Sequence, residues 1–273
     1  MPGQPEIRNM ALFCDFENVA LGVREAKYPQ FDIRKVLERL LLKGSIVVRK
    51  AYCDWERYQE FKTAMHEAAF ELIEIPHVRQ SGKNSADIRM VVDALDLCYT
   101  KEHVDAFVII SGDSDFSPLV AKLRENNKLV IGVGVKKSTS DLLTSACDEF
   151  IYYDDLVRED VRKKRLARKP AKPADRDAVH PPKKREDDRR KEALDLMMET
   201  VEALQAERGE EERVWGSMVK QALKRRKPGF SEPYYGFRSF NALLEEAHRL
   251  GLLKLERDQR SGGYTIHLPA AED

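Results

Sequence analysis

Residues 106–126 read AFVIISGDSDFSPLVAKLREN, and this stretch decides the fold. Its opening, AFVII, is a continuous apolar run too short for a helix and bounded by Ser-Gly, the pattern of a strand covered on both faces. Pro118 follows, at a position suited to the first turn of a helix, and an amphipathic run continues to Asn126. A buried strand feeding a helix through a short acidic turn is half of a βαβ unit. Working outward, the same alternation recurs. Strands are expected over residues 11–14, 46–53, 71–75, 129–135 and 150–153, with helices over 33–42, 56–69, 86–99 and 140–146. Repeated strand and helix alternation with Val and Ile in the strands predicts a doubly wound, mostly parallel α/β sheet in residues 1–157.

The chain has 273 residues, more than one average domain needs, so two domains and a linker are expected. With 42% hydrophobic and 34% charged residues, global disorder is excluded. Lys+Arg and Asp+Glu both total 47, so net charge is uninformative about nucleic acid and only local clusters count. No stretch is long and apolar enough to span a bilayer, and no basic segment followed by an apolar one opens the chain. The expected location is the cytoplasm. Cys14, Cys53, Cys98 and Cys147 are widely separated and form no CxxC pair, which favours buried reduced thiols over a metal or disulfide role.

Residues 158–190 are rich in Arg, Lys, Pro and Asp without a sustained apolar period, and read as a flexible basic linker. Residues 191–273 form a second unit. A first helix carries Leu194, Met197, Met198, Val201 and Leu204, and others are expected over 217–226 and 237–250. The alternating segment around Ser261-Gly262-Gly263 reads as a hairpin. Three helices and a hairpin predict a small winged-helix (α+β) domain, with Met218, Val219, Ala222, Leu223, Phe237, Phe240, Leu243, Leu244 and Leu250 as core.

In the first domain Asp15 ends the first strand, Asp113 and Asp115 follow the fourth, and Asp87 opens the helix after the third. In a parallel sheet these places share the carboxyl edge, where open α/β folds bind ligands. Converging carboxylates repel unless a cation lies among them, and oxygen donors suit Mg²⁺ or Mn²⁺ completed by substrate phosphate. Such a constellation suits phosphodiester hydrolysis. The plainer alternative is that Asp15 and Asp113 only cap the turns that follow them. Asp93 and Asp96 lie farther along the helix of Asp87, and solvent exposure or an indirect role is expected for both. Lys83, Lys136, Lys137, Ser138 and Ser140 are candidates for holding phosphates, against the plain reading of a solvated loop.

The segments ALFCDFENV, KNSADIRMVVDAL, FVIISGDSDFSPLVAKL and VIGVGVKKSTSDLLTSACDEFIYYDDL together resemble the NYN domain family, PIN-like nucleases that include the LabA group. The resemblance runs from Met10 to Leu156. It implies Asp15, Asp87, Asp113 and Asp115 as metal-site acids, with Asn18 as an orienting amide and a topological switch beside the first and fourth strands. Haloacid-dehalogenase-type phosphohydrolases compete for this pattern. Their DxDx(T/V) motif is not matched by Asp15, Glu17 and Asn18, and Ser117 stands where their late second Asp belongs.

KPGF, YYGFRSFNALL and the hairpin resemble the OST-HTH (LOTUS) domain. Lys220, Lys224, Arg225, Arg226 and Lys227 form a basic run, joined by Arg238, Arg249, Arg257 and Arg260, with Phe230, Tyr234 and Tyr235 between. Cations beside aromatics suit RNA through phosphate contact and stacking. That family also contains modules that dock proteins, so a protein partner is the alternative here. The expectation is a metal-dependent endoribonuclease acting on single-stranded or structured RNA, with DNA meeting the same chemical requirements. A non-catalytic RNA-binding or docking adaptor is the reading from a different class. A homo-oligomer is compatible with either.

Overall fold

A computed structural model describes residues 9–75, 85–158, 182–209, 212–227, 230–258 and 263–268. Lys83, Arg260 and residues 159–181 of the expected linker lie outside the described residues. The chain divides into two compact units, Met1–Pro170 and Ala171–Asp273.

The first unit follows the order β1 (Asn9–Asp15), α1 (Phe16–Glu25), α2 (Ile33–Lys43), β2 (Ser45–Cys53), α3 (Gln59–Glu67), β3 (Glu71–Glu74), α4 (Ser85–Thr100) and β4 (Ala106–Ile110). A 3-10 turn (Ser114–Phe116) leads to α5 (Ser117–Glu125), β5 (Leu129–Gly134), α6 (Asp141–Ala146), β6 (Glu149–Tyr152) and α7, helical over residues 153–158. All six strands are parallel, in the order β3-β2-β1-β4-β5-β6. The order reverses between β1 and β4, so these central strands are covered on both faces, and every residue of AFVII is buried. Alternate β1 residues feed two cores. Met10, Leu12 and Cys14 pack with Val19, Val36, Leu40 and Met65 of α1, α2 and α3. Ala11 and Phe13 pack with Met90, Ala94, Leu119 and Leu123 of α4 and α5. Cys14, Cys53 and Cys98 are buried free thiols, while Cys147 is half-buried.

Helix α1, absent from the helices expected from sequence, starts at Phe16 directly after β1. Its anchor is the Phe16 ring, which packs against Phe31, Trp55, Tyr58 and Phe61 with centroids 4.9 to 6.0 Å away. Burying a phenyl ring of this kind contributes about 1.5–3 kcal/mol. Gly22 permits α1 to lie against the Ser138 side chain, which a Cβ there would strike.

The second unit contains α8 (Pro182–Arg208), β7 (Val214–Trp215), α9 (Gly216–Arg226), α10 (Phe240–Arg249), β8 (Lys254–Arg257) and β9 (Tyr264–His267). The strands form an antiparallel sheet, β7-β9-β8. Leu194, Met197, Val201 and Leu204 recur at helical spacing and are buried. Two expectations need correction. Residues 182–190 belong to α8 rather than to a flexible linker, because their Lys, Arg, Glu and Asp residues extend the helix whose apolar stripe begins at Ala193. Leu250 is 49% exposed rather than core, because α10 ends there and the chain turns through Gly251 at φ +73°.

Candidate active site

The carboxyl ends of β1 and β4 meet at the point where strand order reverses. Asp15, the last residue of β1, is buried. Its Oδ1 accepts from Asn18 N–H at 3.3 Å, capping α1, and its Oδ2 accepts from the Ser111 hydroxyl at 3.0 Å. Ser111 Oγ in turn accepts from Asp113 N–H at 3.2 Å, and Asn18 Oδ1 accepts from Gly112 N–H at 2.9 Å. Asp113 Oδ1 caps the 3-10 turn by accepting from Asp115 N–H at 2.9 Å. The Gly112 carbonyl accepts from Ser140 N–H at 2.9 Å, which ties this acidic turn to the loop after β5. Asp15 and Asp113 are therefore caps, as their plain reading required. Capping occupies one oxygen of Asp113, and the Ser111 contact goes beyond capping at Asp15.

Electrostatics join what the topology brings near. Burial pushes the Asp15 carboxyl up to about 7, assisted by the charges of Asp87 and Asp113 and opposed by its bonds to Ser111 and Asn18. Burial also raises Asp87, helped by Asp113, Asp115 and Glu17. The four acids singled out from sequence thus sense one another, with Asp15 innermost and Asp115 exposed. Among the described residues none of the four has an ion-pair partner. Among the same residues, no three His, Cys, Asp or Glu side chains stand close enough together to ligate one ion. The donor set is nonetheless all carboxylate oxygen, and its repulsion is one that a hard cation relieves. In that chemical sense it fits Mg²⁺ or Mn²⁺.

Several participants were not read from sequence. Glu17 faces the same acidic region and pairs with Arg57 at 3.5 Å, putting a guanidinium at its edge. Ser111 and Gly112, buried between the acids, are signalled only by their place in the SGD turn. Asp93 is neither solvated nor idle. It accepts from Tyr52 Oη at 2.9 Å, Lys50 Nζ at 3.2 Å and Arg89 Nε at 3.0 Å. Burial pushes this carboxyl up, but those hydrogen bonds and the charges of Lys50 and Arg89 outweigh it and hold it below its ordinary value. Tyr52 stands opposite Asp15 in the β1–β2 register, so the cluster clamps α4, the helix of Asp87, to the strand beside the site.

Lys136 and Lys137 are exposed on the loop after β5, with Lys136 Nζ 5.8 Å from the centre of the Tyr152 ring. Ser138 Oγ bonds back to the Val135 carbonyl at 3.4 Å, and Ser140 caps α6. In the second unit Lys220 pairs with Glu232 at 3.5 Å and Arg226 with Glu199 at 3.0 Å. Lys224, Lys227 and Arg238 are exposed and Arg225 is half-buried. Tyr235 stacks on the buried Phe230 at 5.1 Å, whereas Tyr234 stands exposed under Arg189.

The sequence profile of the NYN domain matches residues 9–154. The chain belongs to the NYN domain family. The acidic turn lies within the matched residues. An uncharacterized protein of Methanocaldococcus jannaschii is 28% identical over 137 residues, covering 49% of this chain and 54% of its own length. The chain thus spans about half the length of that curated relative. A crystal structure of a protein of unknown function from Vibrio parahaemolyticus is 27% identical, covering 56% of this chain and 98% of that one at a TM-score of 0.49.

Proposed function

We propose that this NYN protein is a divalent-metal-dependent endoribonuclease, and that its second unit is a winged helix of the OST-HTH/LOTUS kind that adds affinity for RNA. One observation carries the catalytic reading. The buried Asp15 is pushed up to about 7 while coupled to Asp87 and Asp113, at the sheet's switch point and without a paired cation among the described residues. Asp15, Asp87, Asp113 and Asp115 would hold Mg²⁺ or Mn²⁺. A bound divalent ion supplies a more acidic water and neutralises charge developing on a phosphodiester. The chain's own contribution is positioning. Ser111 and Asn18 N–H fix both oxygens of Asp15, and Asn18 Oδ1 holds the Gly112 turn so that Asp113 faces the same region. Arg57, Lys136 and Lys137 supply positive charge toward a flanking strand. The three helices and β8–β9 hairpin support the winged-helix reading, and exposed Lys224, Lys227, Arg238 and Tyr234 suit phosphate contact and base stacking. A protein-docking role for this unit draws on the neutralisation of Lys220 and Arg226 by Glu232 and Glu199.

The deciding experiment incubates purified protein with labelled structured RNA, single-stranded RNA and DNA in Mn²⁺, Mg²⁺ or chelator. RNA fragments should form only with metal, and Asp15→Asn with Asp113→Asn should abolish them while RNA binding and folding persist. Retention of metal-dependent cleavage by that double variant would place the catalytic centre elsewhere.

A further inference from the structure

Helix α4 is apolar on two opposite faces. Met90, Ala94 and Cys98 are buried against the sheet. On the opposite side Ile88 is 63% exposed, Val92 56% and Tyr99 62%, with half-buried Leu95 beside them. At about 100° per residue these four side chains fall within one narrow stripe. Soluble helices that are apolar all round are normally covered, and contiguous exposed apolar stripes mark interaction surfaces.

We infer that this stripe is where two copies of the chain associate, through antiparallel packing of α4 on α4. The charges choose the occupant. Arg89 and Asp96 flank the stripe on the same side, two helical turns apart. Arg89 gives its Nε to Asp93 but is 58% exposed, while Asp96 has no ion-pair partner among the described residues. A two-fold axis perpendicular to α4 near Asp93 and Ala94 reverses the helix direction and keeps the flank. Ile88 of one copy then meets Tyr99 of the other, Val92 meets Leu95, and Arg89 of each lies beside Asp96 of its mate. One helix face is thus complementary to itself in both shape and charge, as an isologous interface requires. At about 1.5 Å per residue α4 is only about 24 Å long. The contact therefore falls at the small end of specific interfaces, and association should depend on concentration. Asp87 faces away from this stripe and stays open to the acidic turn.

Sedimentation velocity of the full chain across a concentration series should show a monomer–dimer equilibrium. Val92→Glu should weaken it by at least tenfold without lowering the melting temperature. Arg89→Glu alone and Asp96→Arg alone should each be monomeric, because like charges then face each other. Mixed in equal amounts, those two variants should form a heterodimer, since both flanks become complementary again. A wild-type chain that stays monomeric throughout, or a dimer that Val92→Glu and the charge variants leave intact, would overturn the inference. Two charge variants that remain monomeric when mixed would overturn it too.

Discussion

Asn18 Oδ1 accepts a hydrogen bond at 2.9 Å from the backbone N–H of Gly112, joining the first turn of α1 to the acidic turn after β4. Gly112 is buried, so removing its acceptor strands a polar group at a cost of about 1–3 kcal/mol. Asn18→Ala should lose stability in that range and cleave RNA poorly even at saturating Mn²⁺. Asn18→Asp keeps the acceptor but adds a negative charge beside Asp15. Its stability, measured by urea unfolding in chelator, should approach wild type at pH 5 and fall well below it at pH 8. Equal losses for both variants at both pH values would remove the positioning role.

Asp15 itself predicts a pH dependence. Folding raises its carboxyl to about 7, above the unfolded value, so the folded state holds this proton more tightly. The resulting stabilisation is complete below the unfolded value of about 3.9 and is lost as pH rises through about 7. For the metal-free protein the loss attributable to this group is on the order of 4 kcal/mol. Asp15→Asn should flatten that dependence, at a modest constant cost because one donor at Ser111 loses its acceptor. Unfolding curves in chelator between pH 4 and 8 test this, and parallel dependences in both proteins would contradict it. Saturating Mn²⁺ should restore wild-type stability at pH 8 and leave the variant nearly unchanged.

Gly112 offers a steric test. A Cβ there would lie 2.5 Å from the Ser138 carbonyl oxygen and 3.0 Å from the Thr139 Cα, and both are backbone atoms that cannot swing aside. Gly112→Ala should therefore cost about 1–3 kcal/mol of unfolding free energy and reduce cleavage more than it reduces RNA binding. A variant with unchanged melting temperature and turnover would show that the two loops are not held together as described.

The parallel sheet was legible because β1, β4 and β5 are buried on both faces, and double burial leaves uninterrupted apolar runs such as AFVII. The four acids were legible because parallel strands place all their carboxyl ends on one side. The role of Asp93 was not. Its partners Tyr52 and Lys50 come from β2, and helical geometry around Asp87 says nothing about which strand lies underneath. The start of α1 at Phe16 was hidden for a related reason. Its anchor is a cluster of rings contributed by the α1–α2 loop, the β2–α3 loop and α3, which no local window contains. β7 escaped because two residues cannot show an alternation, and their pairing with β9 is long-range.

The second unit yields a prediction in which its cations separate into two groups. Lys220 and Arg226 are held by Glu232 and Glu199, whereas Lys224, Lys227 and Arg238 are exposed without ion pairs among the described residues. Phosphate contacts release counterions, with a slope of about 0.7 per contact on single-stranded nucleic acid. Replacing Lys224, Lys227 and Arg238 together with Ala should lower the slope of log affinity against log salt by up to about 2 while leaving the melting temperature intact. Arg226→Ala should act in the opposite sense, because its side chain is only 10% exposed and also donates to Thr200 Oγ1 at 3.2 Å. It should lower the melting temperature and change the salt slope by less than one contact. Fluorescence anisotropy with a labelled single-stranded RNA between 50 and 300 mM salt (roughly the range over which such slopes are read) checks both. If the triple Ala variant kept the full slope, RNA would be held by the first unit alone, and Lys224, Lys227 and Arg238 would be better assigned to an acidic protein partner.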